Sequence, residues 1–377
     1  MLIAAGAVFA ALVATRLIDQ GWADIFSIGD GKFDLLPLAV TVVLIGLSFS
    51  KFALRMAVQA VLVAVVFLYL GRTIHDDWGQ ITGRDWHFSL PWLIASLVLM
   101  HSLYACQASG WMLLLRRFGH RVPYLPGFFV WSKSLLARYV PGNVLMVVGR
   151  VMMIEPYGVP KLISLTSVVY EQALLGAASA TVVSLMIPLW PALRSVSSLI
   201  WLILLVPPLA FIGLQPAVMG RLGNFVLRKA GREPIEQFLP FWSVLGFILY
   251  YSCSWLIAGF GLFALVHSVT PISFTDLPIV LASAPLAWLL ALVVFISPSG
   301  LGVREGLYAF SLGFAFNHEA GVASAFAILA RFWQTMIEVS VVTIVMVLTK
   351  KFHRAPKPAK SRMVVEPGDA GVEEPAP

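Results

Sequence analysis

The sequence contains few charged residues. Only 12% of its 377 residues are charged, whereas 59% are hydrophobic. A water-soluble domain of this length carries roughly twice that share of charged residues. So few charges cannot cover the surface of a protein in water. The composition therefore excludes a soluble globular protein and indicates one that is solvated by lipid.

Cysteine and metal-ligand clusters are also scarce. The chain has two cysteines, Cys106 and Cys253, and both lie in apolar stretches, so a disulfide framework is not expected. The seven histidines are scattered and offer no ligand pair at helical spacing. We accordingly expect no metal site, no cofactor and no catalytic residues.

Long apolar stretches are abundant, and several are long enough to cross the roughly 30 Å of hydrocarbon in a bilayer. Each must be helical, because lipid offers no hydrogen bonds to an open backbone. The sequence thus predicts an all-α polytopic integral membrane protein with about nine or ten transmembrane helices. The predicted spans are 2–18, 35–50, 52–71, 90–107, 163–186, 197–215, 239–266, 278–297 and 322–349.

The distribution of basic residues orients these spans, since loops rich in Lys and Arg stay in the cytoplasm. The basic groups cluster at 116–121, at 221–232 and after Lys350, whereas 19–34 and 72–89 are the more acidic loops. We therefore expect a cytoplasmic-membrane protein with both termini inside. The net charge of +7 fits a basic tail on anionic lipid, and no nucleic-acid partner is expected.

Two segments place Pro and Gly inside apolar sequence and follow them with an arginine. They read "RYVPGNVLMVVGR" at 138–150 and "SPSGLGVREG" at 297–306. The orientation requires 125–153 to enter and leave on one side, as a re-entrant pair, and 298–316 to be a broken half-span. Non-helical backbone survives at that depth only beside protein or water. Both segments are therefore predicted to line a polar cavity in the bilayer.

Ionisable residues inside the spans are expensive there, at about 2.5–3.5 kcal/mol each, so they should face inward and pair. Arg331, Gln334 and Glu338 lie on one face of the last span, and Glu171-Gln172 lies within another. We predict that Arg331 pairs with Glu171. These charges either neutralise structural neighbours or line a path for a substrate or protons.

Arg150 and Arg304-Glu305 lie beside the two breaks, where helix ends present unpaired N–H groups and partial charge. An arginine there adds a forked donor suited to phosphate. Discontinuous helices aimed at anionic groups are a recurring feature of transporters. The alternatives are that Arg150 is a cytoplasmic anchor and that Arg304 and Glu305 form a local ion pair that fixes the bend.

"ARYVPGNVLMVVGR" at 137–150, "VYEQALLG" at 169–176 and "SPSGLGVREG" resemble the membrane region of the lysylphosphatidylglycerol synthase/flippase family. The resemblance covers about 52–349. Ser299 replaces a Gly of the family pattern, Asn143 stands where a basic residue is common, and Gln172 stands where an Arg often follows the Glu. We divide the chain into an N-terminal helix pair (1–51), the flippase-like domain (52–349) and a disordered charged tail (350–377).

The resemblance implies that the protein moves, or otherwise handles, an anionic or polyprenyl-phosphate-linked lipid. Only a short tail follows Lys350, so we expect no aminoacyl-transferase activity and no enzyme. No Gly-x-x-x-x-Gly-Lys-Ser/Thr motif occurs, so transport would run downhill, on the proton or membrane potential, or by coupling to synthesis. The predicted substrate-binding residues are Arg138, Pro141, Gly142, Asn143, Arg150, Glu171, Gln172, Pro298, Gly300, Gly302, Arg304, Glu305, Arg331, Gln334 and Glu338.

Two alternatives belong to other functional classes. One is an accessory subunit that positions a partner glycosyltransferase or lipid-synthesis enzyme. The other is a polyprenyl-phosphate glycosyltransferase, because "HDDW" at 75–78 places two carboxylates in an external loop. Such an enzyme needs an acid beside the lipid phosphate, as a base or as a metal ligand.

Overall fold

The computed structural model describes residues 52–139, 144–190, 204–215, 238–294 and 300–350 apart from 317, with single positions between 217 and 228. Several predictions fall outside the described residues. These are the spans 2–18 and 35–50, the part of the span 197–215 before residue 204, the tail after Lys350, and the site residues Pro141, Gly142, Asn143 and Pro298.

Within the described part, the chain forms helices and no strand. Short 3₁₀ turns follow several of the helices. The α-helices are α1 (Phe52–Asp76), α2 (Trp78–Thr82), α3 (Leu90–Arg117), α4 (Tyr124–Leu136), α5 (Val144–Ile154), α6 (Lys161–Met186), α7 (Val206–Gly213), α8 (Phe241–Val269), α9 (Leu277–Val294), α10 (Val303–Ala315) and α11 (Ala320–Lys350).

Five segments in the described part are long and apolar enough to cross a membrane. They are Leu90–Arg117, Lys161–Met186, Phe241–Val269, Phe274–Leu292 and Ala320–Thr349. Large apolar side chains on their outer faces, such as Leu249 and Phe332, are exposed where a soluble protein would carry polar groups. The predicted all-α, multi-pass membrane fold is confirmed.

Helix α8 lies at the centre of the bundle and packs against α3, α6 and α9. Small residues permit the closest of these approaches. A Cβ added to Gly259 of α8 would lie 2.7 Å from the Cα of Leu281 in α9. The two backbones therefore meet at a distance that only glycine allows.

We expect Gly259→Ala to destabilise the protein, because the added methyl group meets backbone that cannot rotate away. Overpacking of this kind costs about 1–3 kcal/mol. Gly246→Ala in the same helix is the matched control, since nothing lies within 4 Å of its added Cβ. Thermal unfolding in detergent should show a lower Tm for Gly259→Ala alone. Equal shifts for the two variants would contradict this packing.

The first Pro/Gly-broken segment consists of two short helices. Helices α4 and α5, of 13 and 11 residues, pack against each other on either side of the break. At 1.5 Å per residue they measure about 20 and 17 Å, too short for either to span a bilayer alone. Two short helices packed together in this hairpin are what the predicted re-entrant pair requires.

The second broken segment also contains a short helix. Helix α10 has 13 residues and begins after Gly302, whose φ of +85° is in the left-handed region that favours glycine. It packs between α9 and α11. Its first turn lies inside the bundle rather than at an end of it, because Glu305 is fully buried.

Helix α3 separates the two loops that orient the protein, because its 28 residues extend for about 42 Å. We propose that its Arg117 end is cytoplasmic and its Leu90 end external. In a cysteine-free background, a membrane-impermeant maleimide should label Gly79→Cys in intact cells. It should label Arg116→Cys only after permeabilisation. Equal labelling of both from outside would contradict the orientation.

Candidate functional site

The polar face of α11 lies deep within the bundle. Arg331 and Glu338 are about 16 and 27 Å along the helix from Ala320, and they are 6% and 0% exposed. Gln334 lies between them on the same face and accepts a hydrogen bond from Arg331 Nη1 at 3.4 Å. The two broken segments both meet this face.

The first break reaches α11 through Arg138, in the 3₁₀ turn that follows α4. Its guanidinium forms an ion pair with Glu338. The hydroxyl of Tyr104, on α3, donates to Glu338 Oε1 at 2.7 Å and accepts from Gln334 Nε2 at 3.4 Å. The carboxylate of Glu338 is thus neutralised and hydrogen-bonded, which a buried charge requires.

The second break reaches the same face through Glu305, at the start of α10. The backbone N–H of Gly302 donates to Glu305 Oε2 at 2.7 Å, which caps the helix. Arg331 Nε lies 3.0 Å from Glu305 Oε1, although the N–H is not directed at that oxygen. The alternative of a local ion pair between Arg304 and Glu305 is therefore wrong, because Arg331 is the cation that neutralises Glu305.

Glu171 lies in a separate cluster, and its predicted pairing with Arg331 is wrong. It forms a buried ion pair with Arg150, whose side chain is 1% exposed. Trp131 Nε1 donates to Glu171 Oε1 at 2.7 Å, and Arg150 Nε donates to Ser134 Oγ at 2.9 Å. The guanidinium also lies over the ring of Trp111, 4.9 Å from its centroid. Arg150 is therefore not a cytoplasmic anchor either.

The physical reason for this correction is the fold of the first broken segment. The α4–α5 hairpin packs against α6 and so carries Arg150 to the middle of that helix. The spacing of residues along single helices could not show that the hairpin folds back against α6. The neighbouring Gln172 is half-buried and makes no side-chain hydrogen bond with the described residues.

Arg304 differs from the other buried cations. Its side chain is 7% exposed, and its Nε is buried without a hydrogen-bond partner in the described part of the chain. Among the described residues no carboxylate pairs with it, because Glu305 and Glu338 contact Arg331 and Arg138. Leaving a buried guanidinium unpaired costs free energy. Such a residue is a candidate for an anionic ligand.

The absence of a side chain at Gly300 leaves room for the side chain of Arg304. Its φ is +70°, and an added Cβ would lie 3.0 Å from Arg304 Nε and 2.6 Å from the Cβ of Ala291. A larger residue at this position would therefore push Arg304 from its place. Glycine is therefore required at position 300 both by the backbone conformation and by the close contacts.

A cavity of about 50 Å³ lies beside Arg304. At roughly 10–15 Å³ of such volume for each water, it has room for a few waters or one group of similar bulk. Among the described residues that line it there is no carboxylate. The charged, polar and aromatic lining residues are Tyr104, Gln107, Arg138, Trp255, Trp288, Arg304, Tyr308, Trp333 and Gln334.

The structure thus brings Arg138, Arg304 and Gln334 to one cavity, with Glu305, Arg331 and Glu338 directly behind it. It does not bring Arg150 or Glu171 there. Sequence reasoning missed the α3 residues Tyr104 and Gln107 and the indoles of the lining. The i, i+3 spacing of Tyr104 and Gln107 within an apolar span was the signal that could have found the first two.

The carboxylates of "HDDW" lie away from this cavity. Asp76 is at the exposed end of α1, where it contacts Arg72 at 3.4 Å and His75 at 3.3 Å. Asp77 packs beside Gly321, at the start of α11. Neither residue lines the cavity that the two broken segments share.

A family model described as the lysylphosphatidylglycerol synthase TM region matches residues 35–341, which is most of the chain. The match begins within the second predicted span and so extends further toward the N-terminus than the resemblance over 52–349. No curated protein matches the chain.

Proposed function

Since the chain belongs to the family of lysylphosphatidylglycerol synthase transmembrane regions, a family of membrane proteins related to lipid handling, we propose that it moves an anionic lipid between the two leaflets. The lipid is a phospholipid or a polyprenyl phosphate, and Arg304 binds its phosphate. The observation that carries the proposal is the buried Arg304 guanidinium beside a cavity, without a carboxylate partner in the described part of the chain.

The chemistry of Arg304 supports phosphate as the ligand. A guanidinium presents several N–H donors in a planar fork that matches two phosphate oxygens. In a site with little water such charge-assisted hydrogen bonds are shorter and stronger than neutral ones. Arg304 also lies in the first turn of α10, where the helix dipole favours negative charge.

The position of the site supports movement across the membrane rather than capture at a surface. Arg138 and Arg304 come from two different broken segments and line one cavity, whose other lining residues include Tyr104 and Gln334 near the midpoints of α3 and α11. The headgroup would bind there while its acyl chains remain in lipid. Arg138 is already paired with Glu338, so Arg304 is the lining guanidinium that has no carboxylate partner among the described residues.

Reconstitution into vesicles tests the proposal. Purified protein in liposomes that contain fluorescent phosphatidylglycerol should make the inner-leaflet probe accessible to dithionite. Protein-free vesicles are the control. A second preparation with an impermeant fluorophore in the lumen checks that the vesicles stay sealed. Bleaching limited to the outer leaflet in sealed vesicles that contain protein would contradict the function.

A further inference from the structure

We infer that the cavity beside Arg304 selects anionic lipids whose headgroup, apart from the phosphate, is neutral and hydroxylated, and that it excludes headgroups with a free amine. The inference rests on the proposed function, because the same cavity receives the headgroup. It concerns which lipids fit, and it departs from the aminoacylated lipid in the family's description.

The charges around the cavity carry the first step. Two guanidiniums, those of Arg138 and Arg304, line it, and no carboxylate does so among the described residues. The two nearest described carboxylates, Glu305 and Glu338, are 0% exposed and paired with arginines. An ammonium group would therefore enter beside like charge, with no carboxylate in the described lining to receive it.

The amino-acid sequence at the two breaks is also free of acidic residues. The sequence between the described ends of the first break is Val-Pro-Gly-Asn at 140–143, and that of the second is Phe-Ile-Ser-Pro-Ser at 295–299. Neither contains Asp or Glu.

The neutral polar groups carry the second step. Gln107 is 9% exposed, and its amide makes no hydrogen bond with the described residues, nor does the hydroxyl of Tyr308. An amide and a phenol both donate and accept hydrogen bonds. Such groups can therefore bond in both directions with an alcohol, which also donates and accepts. An ammonium group can only donate.

Two of the three indoles in the lining have their N–H groups bonded to other parts of the protein. The indole N–H of Trp255 donates to the carbonyl of Leu175 at 3.0 Å, and that of Trp333 donates to Ser96 Oγ at 3.0 Å. Their rings are therefore left to pack against the CH groups of a small alcohol such as glycerol. Aromatic faces also attract cations, but here Arg304, which has no carboxylate partner among the described residues, already supplies positive charge to the same space.

Binding of short-chain lipids tests the inference without requiring transport. The affinities of dihexanoyl phosphatidylglycerol, phosphatidylethanolamine and lysylphosphatidylglycerol are measured by calorimetry on the full chain, below the micellar concentrations of the lipids. We expect phosphatidylglycerol to bind at least about tenfold more tightly than either amine lipid. Similar affinities for all three, tighter binding of an amine lipid, or no binding of any would overturn the inference.

A second experiment places a negative charge in the lining of the cavity. Gln107→Glu adds a carboxylate of nearly the same shape and should reduce the preference for phosphatidylglycerol to less than about threefold. Gln107→Leu is the matched control, which removes the amide without adding charge; it should weaken the binding of phosphatidylglycerol but should not make either amine lipid bind more tightly than it binds the wild type. An unchanged preference in a folded Gln107→Glu protein would also overturn the inference.

The two hypotheses fail in different ways. Selective binding of phosphatidylglycerol without transfer of the lipid between leaflets would end the proposed function and leave the binding inference standing. Transfer of phosphatidylglycerol and amine lipids at equal rates, together with equal affinities, would end the inference and leave lipid movement standing.

Discussion

Arg150→Ala is expected to lower the free energy of unfolding by about 3–5 kcal/mol, because it leaves the carboxylate of Glu171 buried without its cation. The same change removes the hydrogen bond to Ser134 and the contact with the ring of Trp111. Since these residues join α4 and α5 to α6, the loss should loosen the hairpin on the bundle. Thermal unfolding in detergent, with the yield of folded protein, measures the effect.

A double variant separates the buried charge from the lost packing. Arg150→Met combined with Glu171→Gln removes both charges, keeps an amide oxygen to accept from Trp131 Nε1, and retains much of the side-chain volume. It should be clearly more stable than either Arg150→Met or Glu171→Gln alone. If the two single losses simply add in the double variant, the residues are not coupled and the pair is not what holds the hairpin.

In contrast to Arg150→Ala, Arg304→Ala should reduce lipid transfer without destabilising the fold. It removes a buried cation that has no carboxylate partner in the described part of the chain, so the folded state should be as stable as the wild type or more stable. Lipid transfer should fall at least about tenfold, because a charge-assisted contact to phosphate contributes roughly 1.5–3 kcal/mol. Arg304→Lys should restore transfer only in part, since an ammonium cannot form the fork.

Arg116→Ala is the matched control for this prediction. It also removes one arginine, but from an exposed position near the end of α3. Its rate of lipid transfer should equal that of the wild type in the same vesicles. Unimpaired transfer by a well-folded Arg304→Ala protein would remove Arg304 from the binding site.

Much of the fold followed from local sequence. Apolar runs predicted α6, α8, α9 and α11 to within several residues at their ends, because a helix in lipid satisfies its backbone locally. The end of α3 was predicted about ten residues too early, since Trp111 and the leucines beyond it continue the span. Pro and Gly marked both broken segments for the same local reason.

The sequence identified some of the charged residues at and behind the cavity, but neither their pairings nor the uncharged lining residues Tyr104 and Gln107. Buried charge in an apolar span selected Arg304, Arg331 and Glu338 from sequence alone, since lipid penalises such residues unless they have a role. Which carboxylate meets which guanidinium depends on how the broken segments fold back between the long helices. Arg150 therefore has Glu171 as its partner, and Arg331 has Glu305.

The most direct test of phosphate binding at Arg304 is a distance measurement by solid-state NMR. Dipolar recoupling between lipid ³¹P and ¹⁵N-labelled arginine side chains, in phosphatidylglycerol bilayers, reports which guanidinium contacts a phosphate. The account predicts a contact at about 4 Å, as a charge-assisted hydrogen bond requires, that disappears in Arg304→Gln and persists in Arg150→Lys. A spectrum unchanged by Arg304→Gln, or one without any close contact from a buried arginine, would contradict it.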